Sequence, residues 1–209
     1  TERYLAGWCP TRIGDGDEDQ WGGSLVCHRM LFNADGTIDL KLPDGIDKKF
    51  TTLKKTVLID KSGKAVKKED SYVLSDVASV SFPRLDKTCK IEATVKATGN
   101  DDAFGFAFGA CDDKTEVYSI RFDLKNKQLV MSKDDLTRGT TPTQTNVALT
   151  VPADKLFKVK IVAEKSVCVM YVNDKIAFSN RIDKMPKNPW AIFTDKGTEI
   201  SFSDIKVYE

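Results

Sequence analysis

Two tryptophans near the start of the sequence, Trp8 and Trp21, are the residues best suited to hold a sugar. An indole presents an apolar, polarisable plate on which the C–H face of a pyranose or furanose can rest. The competing reading is that both rings pack against neighbouring elements, the general habit of large aromatics. Between them runs Asp15-Gly16-Asp17-Glu18-Asp19. Carboxylates at alternating positions (Asp15, Asp17 and Asp19) can converge on one hard cation such as calcium. The run lacks the distal bidentate glutamate of a full calcium loop, so a solvated acidic loop is favoured and no metal is assigned. In such a loop Asp15 and Asp17 can instead hydrogen-bond sugar hydroxyls at the mouth of a pocket. Farther along, Tyr171 and Trp190 offer sugar-binding side chains, with Tyr118, Arg121, Asn173, Asp174 and Arg181 as companions. No spacing among these residues singles out a site.

Acid–base and nucleophilic chemistry find less support. His28 is the single histidine, with Arg29 beside it and Val26 and Met30 on its face of a strand. A general base needs an orienting partner and a nucleophile. The sequence names neither, so a strand histidine satisfied by a backbone carbonyl is expected. Ser24 lacks the Gly-x-Ser-x-Gly setting of a hydrolase elbow. Gly105 and Gly109 flank strand residues, which reads as a bend or close sheet packing rather than a phosphate loop. The cysteines (Cys9, Cys27, Cys89, Cys111 and Cys168) form no Cys-x-x-Cys pair and have one histidine to join, which excludes a zinc site. Buried free thiols are expected; a Cys9–Cys27 bridge stays open, because their strands are expected to be neighbours. No cofactor is assigned.

The elements that must position these residues are strands. Phe104, Phe106 and Phe108 alternate, as do Ile91, Ala93, Val95 and Ala97, and Phe157, Val159, Ile161 and Ala163. Asn100-Asp101-Asp102, Lys125-Asn126-Lys127, Asn173-Asp174-Lys175 and Asp195-Lys196-Gly197 are hairpin signals between them. No stretch longer than about ten residues has helical periodicity. The fold class expected is all-β: an antiparallel two-sheet β-sandwich of the lectin-like jelly-roll kind, preceded by a β-hairpin. The division expected is a hairpin over 1–45, a lysine-rich connector with an edge strand over 46–69, and the sandwich over 70–209. Thr56-Val57-Leu58-Ile59 is the β-prone part of the connector. A net charge of +1 gives no field toward nucleic acid, and the lysines lack the interleaved aromatics of a single-strand site. No apolar run approaches the roughly 20 residues that span a bilayer, so no membrane contact is assigned to this segment.

The order Gly7-Trp8, Trp21-Gly-Gly-Ser-Leu-Val-x-His-Arg-x-Leu, Asp35-Gly36-Thr37-Ile38 and Pro43 resembles the closing blade of the five-bladed propeller of glycoside hydrolase family 32. That family includes invertases, inulinases and levanases. Ala103–Phe108, Tyr118–Asp123, Val167–Asp174 and the closing Phe202–Tyr208 resemble its C-terminal sandwich. The resemblance implies that the chain is part of something larger, whose parent is secreted, periplasmic or at the cell surface. It also implies catalysis by two carboxylates about 5 Å apart. The family's Asn-Asp-Pro, Arg-Asp-Pro and Glu-Cys motifs do not occur in this sequence, so no catalytic residue is assigned and hydrolysis by this chain alone is not expected. Three roles follow: a non-catalytic C-terminal sandwich supporting the propeller, a carbohydrate-binding module with its own glycan site, or a protein-interaction sandwich. The partner expected is a fructan-like carbohydrate, together with a second copy of the chain through the exposed hairpin edges.

Overall fold

The computed structural model describes residues 2–12, 19–85, 87–108, 116–135, 144–182, 188–196 and 199–209. Strand alternation becomes strands nearly everywhere. A first sheet holds β1 (Arg3–Arg12), β2 (Asp19–Phe32) and β3 (Ile38–Lys41), ordered β1-β2-β3 and antiparallel. One helical turn, α1 (Asp44–Asp47), follows, then β4 (Leu53–Lys54), β5 (Asp60–Lys68), β6 (Ser71–Phe82) and β7 (Cys89–Ala97). The chain continues through β8 (Ala103–Phe108), β9 (Glu116–Asp123), β10 (Gln128–Asp135) and β11 (Gln144–Ala148). It ends with β12 (Leu156–Glu164), β13 (Val167–Val172), β14 (Ile176–Arg181), β15 (Trp190–Lys196) and β16 (Ile200–Tyr208).

The two layers of the sandwich share β6. Its first part, Ser71–Leu74, pairs with β16; its last part, Ala78–Phe82, pairs with β15. The strand turns between them at Asp76, where φ is 55°. One layer therefore runs β11-β10-β9-β8-β15-β6 and the other β6-β16-β7-β12-β13-β14. β5 lines β6 along both halves, with a register shift at Gly63. Only glycine fits there: φ is +67°, and a Cβ would stand 2.1 Å from the Val77 carbonyl oxygen.

Inward-facing side chains close the core between the layers. Phe104 on β8 stacks on Phe122 of β9 at 5.0 Å and meets Phe157 of β12 and Phe202 of β16 from the opposite layer. All four rings are fully buried. The all-β sandwich expected from alternation is thus the fold.

Two local expectations change. The third strand of the first sheet, β3, extends the expected hairpin. The edge strand of the connector falls on Asp60–Lys68 rather than on Thr56–Ile59, which carries no ladder. Among the β5 residues only Ala65 is buried, so the strand is held by backbone pairing and its lysines guard a sheet edge.

Candidate functional site

The functional geometry lies where the three-stranded sheet meets the outward face of β13 and β14. Alternation along β2 sends Ser24, Val26 and His28 toward the sandwich. Along β13 and β14 it sends Val169, Tyr171, Ala177, Ser179 and Arg181 outward to meet them. Leu42, Val169 and Tyr171 form a small buried cluster, with Val26 and Ala177 packed on it. The Leu40 amide donates to the Lys175 carbonyl at 2.8 Å, at the turn between β13 and β14. That turn uses Asn173 and Asp174 at φ of 54° and 51°, as its residue types require.

Polar groups lock this seam. His28 Nδ1 lies 3.0 Å from the Tyr171 hydroxyl, and its Nε2 lies 3.2 Å from Ser179 Oγ. The histidine is therefore satisfied by two sandwich hydroxyls instead of the backbone carbonyl expected from sequence. Arg181 donates from Nε to the Pro10 carbonyl at 2.6 Å and from Nη2 to the Cys9 carbonyl at 2.7 Å. Its Nη1 donates to Ser166 Oγ at 2.5 Å. One guanidinium thus ties β1 to the β12–β13 turn.

A second tie runs through α1. Asp44 pairs with Arg29 and Lys41, and its carboxyl is held below the usual range, first by the Lys41 hydrogen bond. Asp47 pairs with Lys90 and with Lys160. Burial pushes the Asp47 carboxyl up, but the bonds from Lys90 and Lys160 outweigh it and hold it low. Lys90 also meets Glu92 and lies over the rings of Tyr208 and Phe50.

The residues singled out in the sequence fall in different places. Trp190 stacks on Phe82 at 4.5 Å in the core and is 2% exposed, so it has no face to give a ligand. Tyr171 is 3% exposed and belongs to the seam, where burial pushes its hydroxyl pKa well up. Reading either as a sugar platform is corrected by this burial. Trp8 is 52% exposed on the outer face of β1, near Tyr4 and Leu25, and its indole lies across Gly23. Asp15 and Asp17 lie outside the described residues; Asp19 and Trp21 are placed only as positions on β2. Among the described residues no three acidic, histidine or cysteine side chains gather to hold a metal. Cys9 pairs in register with Ser24 and Cys27 with Ala6, and neither is in a disulfide, so the open Cys9–Cys27 bridge does not form. Cys89 and Cys168 are buried free thiols; burial pushes the Cys89 thiol up to about 12. The seam roles of Arg181, Ser179 and Asp47 were missed, because they depend on partners far away in sequence. The outward valines of β12 and β13 were the available signal.

Burial also holds the His28 pKa below its ordinary 6.5. Below pH 6.5 the unfolded chain takes up a proton that the folded seam resists. The stability that neutral His28 contributes is complete above its unfolded pKa and is lost as pH falls through the folded value. Asp44 and Asp47 act in the same direction, but only below about pH 4. The melting temperature is therefore expected to fall between about pH 7 and about pH 5, and His28→Gln to flatten that fall. An unchanged slope in the variant, followed by calorimetry, would contradict this role for His28.

Comparison with known proteins adds family and fold. Residues 36–207 match the family described as GH32, BT1760-like, C-terminal domain. Curated protein sequences yield no match. Among solved structures, the fructosyltransferase from A. japonicus aligns over 100% of this chain and 34% of its own, at a TM-score of 0.62 and 13% identity. The exo-inulinase from Aspergillus awamori aligns over 99% of this chain and 40% of its own, at 0.63 and 14%. The carbohydrate-binding module CBM66 from Bacillus subtilis aligns over 77% of this chain and 99% of its own, at 0.58 and 11%. The chain thus spans well under half the length of the two enzymes.

Proposed function

The chain belongs to the BT1760-like C-terminal domain family of glycoside hydrolase family 32, and we propose that it braces a catalytic propeller without cutting a glycosidic bond itself. The observation that carries this reading is the seam. The three-stranded sheet is fastened to the sandwich by Arg181, His28 and Asp47. Its other face stays apolar and open at Tyr4, Trp8 and Leu25, the last 74% exposed. A sheet clamped on one side and apolar on the other is suited to present its open face to further blades. In this reading the sandwich supplies rigidity, and Trp8 is the remaining described candidate for a carbohydrate contact, with a fructan-like chain as the partner.

The test of the non-catalytic part is direct. The purified chain, incubated with sucrose, inulin and levan, is expected to release no fructose above the blank. Release that scales with chain concentration and survives repurification would overturn the reading.

A further inference from the structure

The first sheet covers β13 and β14, but the same outward face stays open farther across, where lysines and hydroxyls fall in one row. Pairing sets Lys68 on β5 beside Ser71 on β6, and Ser71 beside Ser203 on β16. Ser203 stands beside Thr94 on β7, and Thr94 beside Lys158 on β12. Partners in register share a face of the sheet. At roughly 4.8 Å per strand the row spans about 19 Å. Its hydroxyl residues are half-buried and its terminal lysines exposed, so it forms a shallow trough between two cations. One flank is the row Val66, Val73, Ser201, Lys96 and Leu156, in which Val66 is 55% exposed. On the other flank Lys206 stands opposite Glu92.

Charge within these rows is one-sided. Among the described residues, Lys68, Lys158 and Lys206 meet no carboxylate. Lys96 donates to the Asp154 backbone carbonyl, which leaves its charge uncompensated. Glu92 is the acid that register places among them, and Lys90 holds it at 2.8 Å. Other carboxylates stand at the rim: Glu69 and Asp70 between β5 and β6, and Asp204 in the β16 bulge. Side-chain types then narrow the partner. No residue of these rows is aromatic, so no plate is offered to a sugar ring or a base. None is arginine, whose planar fork matches phosphate. Lysine point charges suit single carboxylates, hydroxyls can both donate to and accept from a peptide backbone, and the valines suit small apolar side chains. An extended peptide covers about 19 Å with about six residues.

We infer that this face binds an extended segment of a partner protein, about six residues long, in which acidic side chains alternate with small apolar ones. Side chains of such a segment point alternately to the two flanks of the trough. Its apolar residues then rest on Val66 and Val73, and its carboxylates reach Lys206, Lys68 and Lys158. The face lies apart from the seam, so the inference stands independently of the bracing reading.

The test uses the full chain and a blocked hexapeptide, Glu-Val-Glu-Ala-Glu-Val, as the probe. Amide shift changes are expected to cluster at residues 66–73, 94–96, 156–158 and 201–206, with a Kd of about 0.1–1 mM at low salt. Raising ionic strength from about 0.02 to about 0.2 M is expected to weaken binding several-fold. Lys68→Glu combined with Lys158→Glu, both at exposed positions, is expected to weaken it at least about tenfold. Thr94→Val, which keeps the side-chain volume and removes a hydroxyl, is expected to weaken it several-fold while the melting temperature stays near native. The same peptide with lysine in place of glutamate is expected not to bind. No shift changes at about 5 mM peptide would overturn the inference. So would changes centred on residues 2–43, or equal binding by the double variant. Tighter binding of trigalacturonate or of a short oligothymidylate, compared at equal charge, would also overturn it and assign the face to another class of polyanion.

Discussion

Arg181→Ala is expected to release the three-stranded sheet from the sandwich while leaving the sandwich folded. The guanidinium reaches the Pro10 and Cys9 carbonyls at 2.6 and 2.7 Å and Ser166 at 2.5 Å. Hydrogen bonds from a charged donor contribute about 1.5–3 kcal/mol each. These are not additive, and the site is partly open to water. Removing the side chain is therefore expected to cost the docked state about 2–4 kcal/mol, or roughly 30- to 1,000-fold in the docking equilibrium. A three-stranded sheet needs a packed apolar face to hold by itself, and the packed residues beside this one, Leu42 and Val26, lie in the seam that the variant opens. Proteolysis should then nick the chain within residues 2–43, and mass spectrometry should recover an intact fragment beginning near β4. Arg181→Lys keeps the charge but loses the planar fork that reaches two adjacent carbonyls, so an intermediate loss is expected. Equal resistance to protease in the alanine variant and the native chain would show that the guanidinium is not the clamp.

The opposite expectation holds for Phe104→Ala, which attacks the sandwich itself. Phe104 joins both layers through Phe122, Phe157 and Phe202 and is completely buried. Truncating such a ring removes its transfer free energy and leaves a cavity, together worth about 3–5 kcal/mol. That is a large share of the roughly 5–15 kcal/mol that holds a typical domain. The whole chain is therefore expected to lose cooperative melting well below the native temperature, in contrast to the local release caused by Arg181→Ala. A melting temperature within a few degrees of native would contradict the packing described for this ring.

These two variants also mark what could be read from residues alone. The Phe104-Phe106-Phe108 alternation announced a buried strand face, since a period of two leaves no other way to place three rings together. Asn173 and Asp174 announced their turn because few residue types accept positive φ. β5 was misplaced for a physical reason. An edge strand buries little, so its nine residues, five of them charged, carry no apolar pattern, whereas the more apolar Thr56–Ile59 meets β6 where the Ile59 amide donates to the Ser81 carbonyl. Tyr171 and Trp190 have the side chains of sugar platforms, and only the fold shows them buried. His28 meets Tyr171 across 143 residues of sequence. Neither partner carries a local mark of the other, because the pairing arises from docking one sheet on another.

Amide hydrogen exchange on the monomeric chain tests the central claim, that the three-stranded sheet and the sandwich form one braced body. The account predicts that the β1–β2 amides are protected nearly as strongly as those of β12 and β13, and that this protection is lost in Arg181→Ala while the sandwich keeps its own. Fast exchange across β1 and β2 in the native chain, beside a slowly exchanging sandwich, would contradict it.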